Sequence, residues 1–178
     1  AYRTEVRPYA TGLYFTSHDN PSQEFDEEAQ KYISQGFKAI KMKVGLGVEE
    51  DYKNVKRVRE LIGDDIQLMV DSNHAYNFRE AVQLAKKLEP LNISWFEEPL
   101  SPEFYTQYKE LRSKTSIPIP GGECEYLRYG FHQLLRNNSV DIIQPDICAS
   151  GGLTEAKRIA ALASTYGVEL IPHTWGTS

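Results

Sequence analysis

The chain has 178 residues, 40% hydrophobic and 25% charged, which supports one globular domain with a core of its own. Its formal charge of −5, without any cluster of Lys or Arg, excludes a nucleic-acid surface, and no apolar run reaches the roughly 20 residues of a membrane span. Two cysteines, Cys124 and Cys148, are too few for a disulfide framework; they read as free thiols, small apolar residues in a reducing, cytoplasmic compartment.

Seven short apolar runs alternate with amphipathic segments. In chain order the runs are RPYATGLYFT, AIKMKVG, IQLMVDSN, ISWFEEP, IPIPGGE, VDIIQPDI and VELIPH. The segments between them carry helix punctuation: Ser22 before the first, Asn77 with Glu80 as a capping box, Ser101 with Pro102 at the first turn of another, and Gly63 and Gly167 as stops. Seven strands and six helices, each connection long enough for a crossover, predict a parallel sheet covered by helices.

The C-terminal ends of these runs decide between a barrel and an open sheet. Lys43, Asp71, Glu97, Glu123, Asp146 and His173 close successive strands at steps of about one βα unit. No glycine-rich phosphate loop follows any strand. Chemistry delivered to one rim by every strand is the signature of a (β/α)8 TIM-type barrel.

Three carboxylates converging at one rim, Asp71, Glu97 and Glu123, repel one another unless a cation lies between them. All-oxygen ligands from three strands suit a hard ion with open positions, Mg2+ with Mn2+ as the alternative, rather than zinc. On the second run Lys41 and Lys43 stand at i and i+2. They share a face with Cα atoms about 6 to 7 Å apart. Two ammonium groups so close, in a partly desolvated site beside a divalent cation, predict a lowered lysine pKa and hence a base. At the other end of the rim, Asp146 stands where it can fix one ring nitrogen of His173, giving a second acid/base on the opposite side.

KMK at 41–43, VDSN at 70–73, FEEP at 96–99, GGE at 121–123, QPD at 144–146 and IPH at 171–173 occur in the order and at the separations of the enolase superfamily. The set most closely resembles the mandelate racemase subgroup; the lysine that the muconate-lactonizing subgroup carries at the end of strand 6 is replaced by Asp146. The resemblance implies Asp71, Glu97 and Glu123 as Mg2+ ligands, Lys43 as one base with Lys41 its partner, and Asp146 with His173 as a dyad. It also implies abstraction of the proton α to a carboxylate through an enediolate, a pattern general to this superfamily. Most subgroup members with these motifs are acid-sugar dehydratases, so the expected reaction is dehydration of an aldonate or aldarate to a 2-keto-3-deoxy acid. Racemisation or epimerisation of a 2-hydroxy acid is the alternative, and a non-catalytic barrel segment the further one.

Four more residues are read two ways: Asn73 and Glu98 as hydrogen-bonding groups beside the metal ligands or as loop polarity, His18 as a substrate contact or a solvated loop residue, Trp175 as a pocket wall or a packing residue. The family's N-terminal α+β capping domain has no counterpart in residues 1–178, and its eighth strand is missing, so the chain is expected to be the central part of a larger protein. Its partner is expected to be a small carboxylate, with no nucleic acid or membrane, and the full-length protein a homo-oligomer.

Overall fold

The structure, a computed structural model, describes residues 4–15 and 21–174, with the side chains of 21–23 left out. His18 and Trp175 lie outside the described residues. The elements alternate as β1 (Ala10–Gly12), α1 (Pro21–Ser34), β2 (Ala39–Lys43), α2 (Val48–Ile62), β3 (Gln67–Asp71), α3 (Phe78–Leu88), a 3-10 turn (Glu89–Leu91), β4 (Ile93–Glu97), α4 (Tyr105–Arg112), β5 (Pro120–Gly121), α5 (Leu127–Arg136), β6 (Ile142–Ile143), α6 (Gly152–Tyr166) and β7 (Glu169–Leu170). All pairings are parallel, in two ladders of order β1-β2-β3-β4 and β5-β6-β7. Between the ladders, the Phe96 and Glu98 N–H groups donate to the Pro118 and Pro120 carbonyls at 2.9 and 3.2 Å. Among the described residues the result is an incomplete barrel of seven strands. Among the described residues no helix is long and apolar enough to cross a membrane.

Strand alternation divides the core in two. On the outer face Ile40, Met42, Leu68, Val70, Phe96 and Ile143 are buried beneath the helices with Val55, Val58, Leu84, Leu88, Phe131 and Ile159. Each such side chain contributes about 1.5–3 kcal/mol relative to exposure. Inside the barrel a smaller apolar layer of Ala39, Met69, Trp95 and Ile142 closes the space below the charged rim, with Tyr9 and Ile171 packed against it. The next inward positions along the same strands are Lys41, Asp71, Glu97 and Gln144. One register therefore sets both a dry floor and a polar mouth.

The helix punctuation holds in three places and shifts in two. Asn77 accepts from the Glu80 N–H while the Glu80 carboxylate accepts from the Asn77 N–H, a complete capping box, and Gly63 and Gly167 cap α2 and α6. Helix α1 begins at Pro21, so Ser22 lies in its first turn instead of before it. Helix α4 begins at Tyr105, three residues past Pro102, because Ser101 closes a separate turn: its carbonyl accepts from the Phe104 N–H at 3.1 Å and its hydroxyl donates to the Glu103 carboxylate.

The candidate active site

Register brings the chemistry together. Lys43 pairs with Asp71 across β2 and β3, Asp71 pairs with Glu97 across β3 and β4, and Asp146 bridges to His173 beyond the ends of β6 and β7. Glu123 follows β5 after Gly121 and Gly122. At Gly122 φ is +120°, and a Cβ would stand 2.9 Å from the Phe131 ring, so only glycine turns the chain here without strain or collision.

One oxygen each from Asp71, Glu97 and Glu123 lies within 4.8 Å of the others. Asp71 and Glu97 are essentially inaccessible, at 1% and 0% exposure. Burial works to raise the Asp71 carboxyl, but the Lys41 and Lys43 ammonium groups outweigh it and hold the group low. Burial holds Glu97 above the ordinary carboxylate range, with Asp71 adding to it against the pull of Lys41. Glu123 is also raised, by burial and then by Asp71 and Glu98, against the pull of His173. Ionising two of the three carboxyls is thus disfavoured, by burial first and by neighbouring carboxylates second, a penalty that a cation between them would relieve. An all-oxygen donor set under that penalty fits a hard divalent cation.

Lys41 Nζ is ion-paired to Glu97 Oε1 and lies 3.2 Å from Asp71 Oδ2. Burial acts to lower its pKa, but the Glu97 and Asp71 charges prevail and raise it. That corrects the expected lowering for Lys41: the sequence shows the second ammonium two residues away, while the fold puts two carboxylates closer. Lys43 Nζ donates to Asp71 Oδ2 at 2.6 Å and to Asn73 Oδ1. Asn73 in turn donates from its side chain to Glu123 Oε1 at 3.4 Å, and its N–H donates to Asp71 Oδ1 at 3.1 Å. From the far side, His173 Nε2 lies 3.3 Å from Glu123 Oε2 and Nδ1 lies 2.9 Å from Asp146 Oδ2. The Ala149 N–H, 2.8 Å from Asp146, and His173 together hold the Asp146 carboxyl below its usual range.

Lys43, Asn73, Glu123 and His173 line one cleft of about 620 Å³, with Tyr14 and Phe15 among its other walls. Lys43 stands over the Tyr14 ring at 5.5 Å. The β2–α2 loop forming part of its rim is held by Asp51, whose buried carboxylate accepts from the Gly45, Leu46 and Gly47 N–H groups and from the Tyr76 hydroxyl.

Glu98 faces elsewhere. At φ +43° it turns back from Glu97, is 2% exposed, and accepts from the Gly122 N–H and, at 2.9 Å, the Tyr108 hydroxyl, with His74 Nε2 3.0 Å away. It ties the turn before Glu123 to α4 and to the end of β3. Two inward residues escaped the sequence reading: Gln144 Nε2 and Trp95 Nε1 each donate to Glu97 Oε2 at 2.9 Å. Trp95 stands two residues before Glu97 and Gln144 two before Asp146, so strand alternation was the available signal. Cys124 and Cys148 are free thiols, but both are exposed, not packed as apolar residues.

Residues 24–178 match the family model described as enolase C-terminal domain-like. The structure superposes with a TM-score of 0.92 on the 3,6-anhydro-D-galactonate cycloisomerase of Zobellia galactanivorans, 60% identical, covering 97% of this chain and 47% of that one. It superposes equally well, at 0.92, on the L-talarate dehydratase of Polaromonas sp. JS666 complexed with Mg and L-glucarate, 32% identical, covering 98% and 48%. A curated relative, the D-galactarolactone cycloisomerase of Agrobacterium fabrum, is 44% identical over 99% of this chain and 47% of its own length. The chain spans about half the length of such relatives.

Proposed function

The chain belongs to the enolase C-terminal domain-like family, and on that premise we propose that it supplies the barrel site of an Mg2+-dependent enzyme acting on an acid sugar. The reaction is removal of the proton α to the carboxylate and loss of the oxygen on the β carbon, giving a 2-keto-3-deoxy acid. The observation that supports it is the approach of two acid/base groups to the two oxygens of Glu123, Lys43 through Asn73 at Oε1 and His173 directly at Oε2.

Asp71, Glu97 and Glu123 would hold Mg2+, whose charge supplies electrostatic stabilisation to the substrate carboxylate as negative charge builds there. Lys41 stays an ammonium between Glu97 and Asp71 and keeps those carboxylates in place. Lys43 Nζ, which stands at the rim on Asp71 Oδ2 and Asn73 Oδ1, would take the α proton as the neutral amine. His173, oriented through Nδ1 by Asp146, gives the proton on Nε2 to the departing oxygen. The α C–H and β C–O bonds break, a carbon–carbon double bond forms, and the resulting enol tautomerises to the ketone.

The leaving oxygen distinguishes two readings. A ring oxygen, the ether of an anhydro sugar acid or the ester oxygen of a lactone, is favoured by the identities of 60% and 44% to two cycloisomerases. The product is then an isomer. Loss of a free hydroxyl as water from an open-chain aldonate or aldarate is the second reading, supported by the likeness to a dehydratase. The test is to incubate the protein and Mg2+ with 3,6-anhydro-galactonate and a panel of open-chain acid sugars, detecting 2-keto acids as semicarbazones and weighing the products. A keto product of unchanged mass is expected. A product lighter by one water selects dehydration, inversion at the α carbon with every oxygen retained selects a racemase, and no product while Mg2+ is bound leaves a non-catalytic barrel.

A further inference from the structure

His74 and Cys124 follow Asn73 and Glu123, just past the ends of β3 and β5. One ring nitrogen of His74, Cys124 Sγ and one Glu123 oxygen all lie within 4.8 Å of one another, and His74 Nε2 is 3.9 Å from Cys124 Sγ. Around a four-coordinate zinc, bonds of about 2.0 to 2.3 Å keep ligand atoms about 3.3 to 3.8 Å apart. The three donors therefore stand close to the spacing that a common ion requires, and Cys124 is exposed.

We propose that His74, Cys124 and Glu123 form a second metal site, for a thiophilic divalent cation of the Zn2+ class, beside the all-oxygen group of Asp71, Glu97 and Glu123. The donor sets separate the two by softness. Thiolate and imidazole favour zinc and its neighbours, whereas three carboxylates suit Mg2+. Glu98, held by the Tyr108 hydroxyl and the Gly122 N–H, lies 3.0 Å from His74 Nε2; a cation bound at that nitrogen would replace this hydrogen bond and have the Glu98 carboxylate beside it. Burial first, and then the negative field of Glu98, Glu123, Glu125 and Glu103, push the Cys124 thiol up to about 11, and the same field attracts a cation that would take the proton's place. The exposed side of Cys124 leaves the fourth position to water.

The donor chemistry supplies a readout independent of any reaction. Co2+ bound by a thiolate shows a sulfur-to-metal charge-transfer band in the near ultraviolet, which an all-oxygen site cannot produce. Titrating the purified, reduced protein with Co2+ is expected to give a saturable band that added Zn2+ removes. Cys124→Ser should lose the band, His74→Gln should weaken the apparent affinity about tenfold or more, and Cys148→Ser should leave it intact. A wild-type protein without the band, or a band that survives Cys124→Ser, overturns the site. Because the wild-type titration needs no substitution, misfolding of a variant cannot mask a negative result.

Discussion

Lys41 is a cation that the fold cannot spare. It is 4% exposed between two carboxylates that are themselves inaccessible. Removing one partner of a buried ionic cluster leaves uncompensated charge, at a cost of about 3–5 kcal/mol. Lys41→Met is therefore expected to lower the denaturant midpoint strongly in metal-free buffer, with Mg2+ recovering part of the loss; a midpoint unmoved by either change would show the cluster to be solvated. Gln144 is a different case, since its amide only orients Glu97. Gln144→Met should weaken Mg2+ binding about 10–100-fold by calorimetry, while Glu97→Gln should remove most of it. At this scale the sequence was readable where charge interrupted an apolar run, as in KMK and FEEP. It was silent where the acting group was a tryptophan or a glutamine, because those residues are ordinary in a strand until the facing carboxylate is known. For Lys41, sequence distance counts the neighbouring lysine, whereas spatial distance counts the acids on β3 and β4, which in the metal-free site hold its ammonium.

Elements carry these residues to the rim through alternation and capping. The Asn77 box fixes the start of α3, six residues after Asp71. Asn77→Ala should cost about 1 kcal/mol, read as a lowered melting temperature, without touching metal affinity. Asp51 acts on a loop: its carboxylate satisfies three backbone N–H groups and the Tyr76 hydroxyl in a buried position. Asp51→Ala leaves those donors unpaired, at roughly 1–3 kcal/mol each when buried. It should loosen the loop that carries Val44 and Gly45 along the cleft, visible as faster amide exchange there; protection equal to wild type would remove Asp51 from that role. Helix existence was legible from periodicity, and the capping box and glycine stops placed three boundaries. The starts of α1 and α4 were not legible, since Ser101 and Pro102 suit an isolated turn as well as a helix N-terminus.

For the molecule as a whole, the strand count and parallel order followed from seven apolar runs and long crossovers, and the rim from the ionisable residue closing six of the seven. Among the described residues no pairing joins β7 to β1, so both end strands present unpaired backbone. The 178-residue chain expressed alone is expected to associate, and a monomeric species in size-exclusion chromatography would contradict this. The central claim concerns proton transfer by Lys43 and His173 on opposite sides of one substrate. It is tested most directly by running the Mg2+-loaded protein, Lys43→Ala and His173→Asn in D2O with an accepted acid sugar, following the α proton and the keto product by NMR. The expected result is that both variants lose product while one of them, retaining the base beside the α proton, still exchanges it for deuterium. Product formed at the wild-type rate by either variant would mean that the two groups do not divide the chemistry between them.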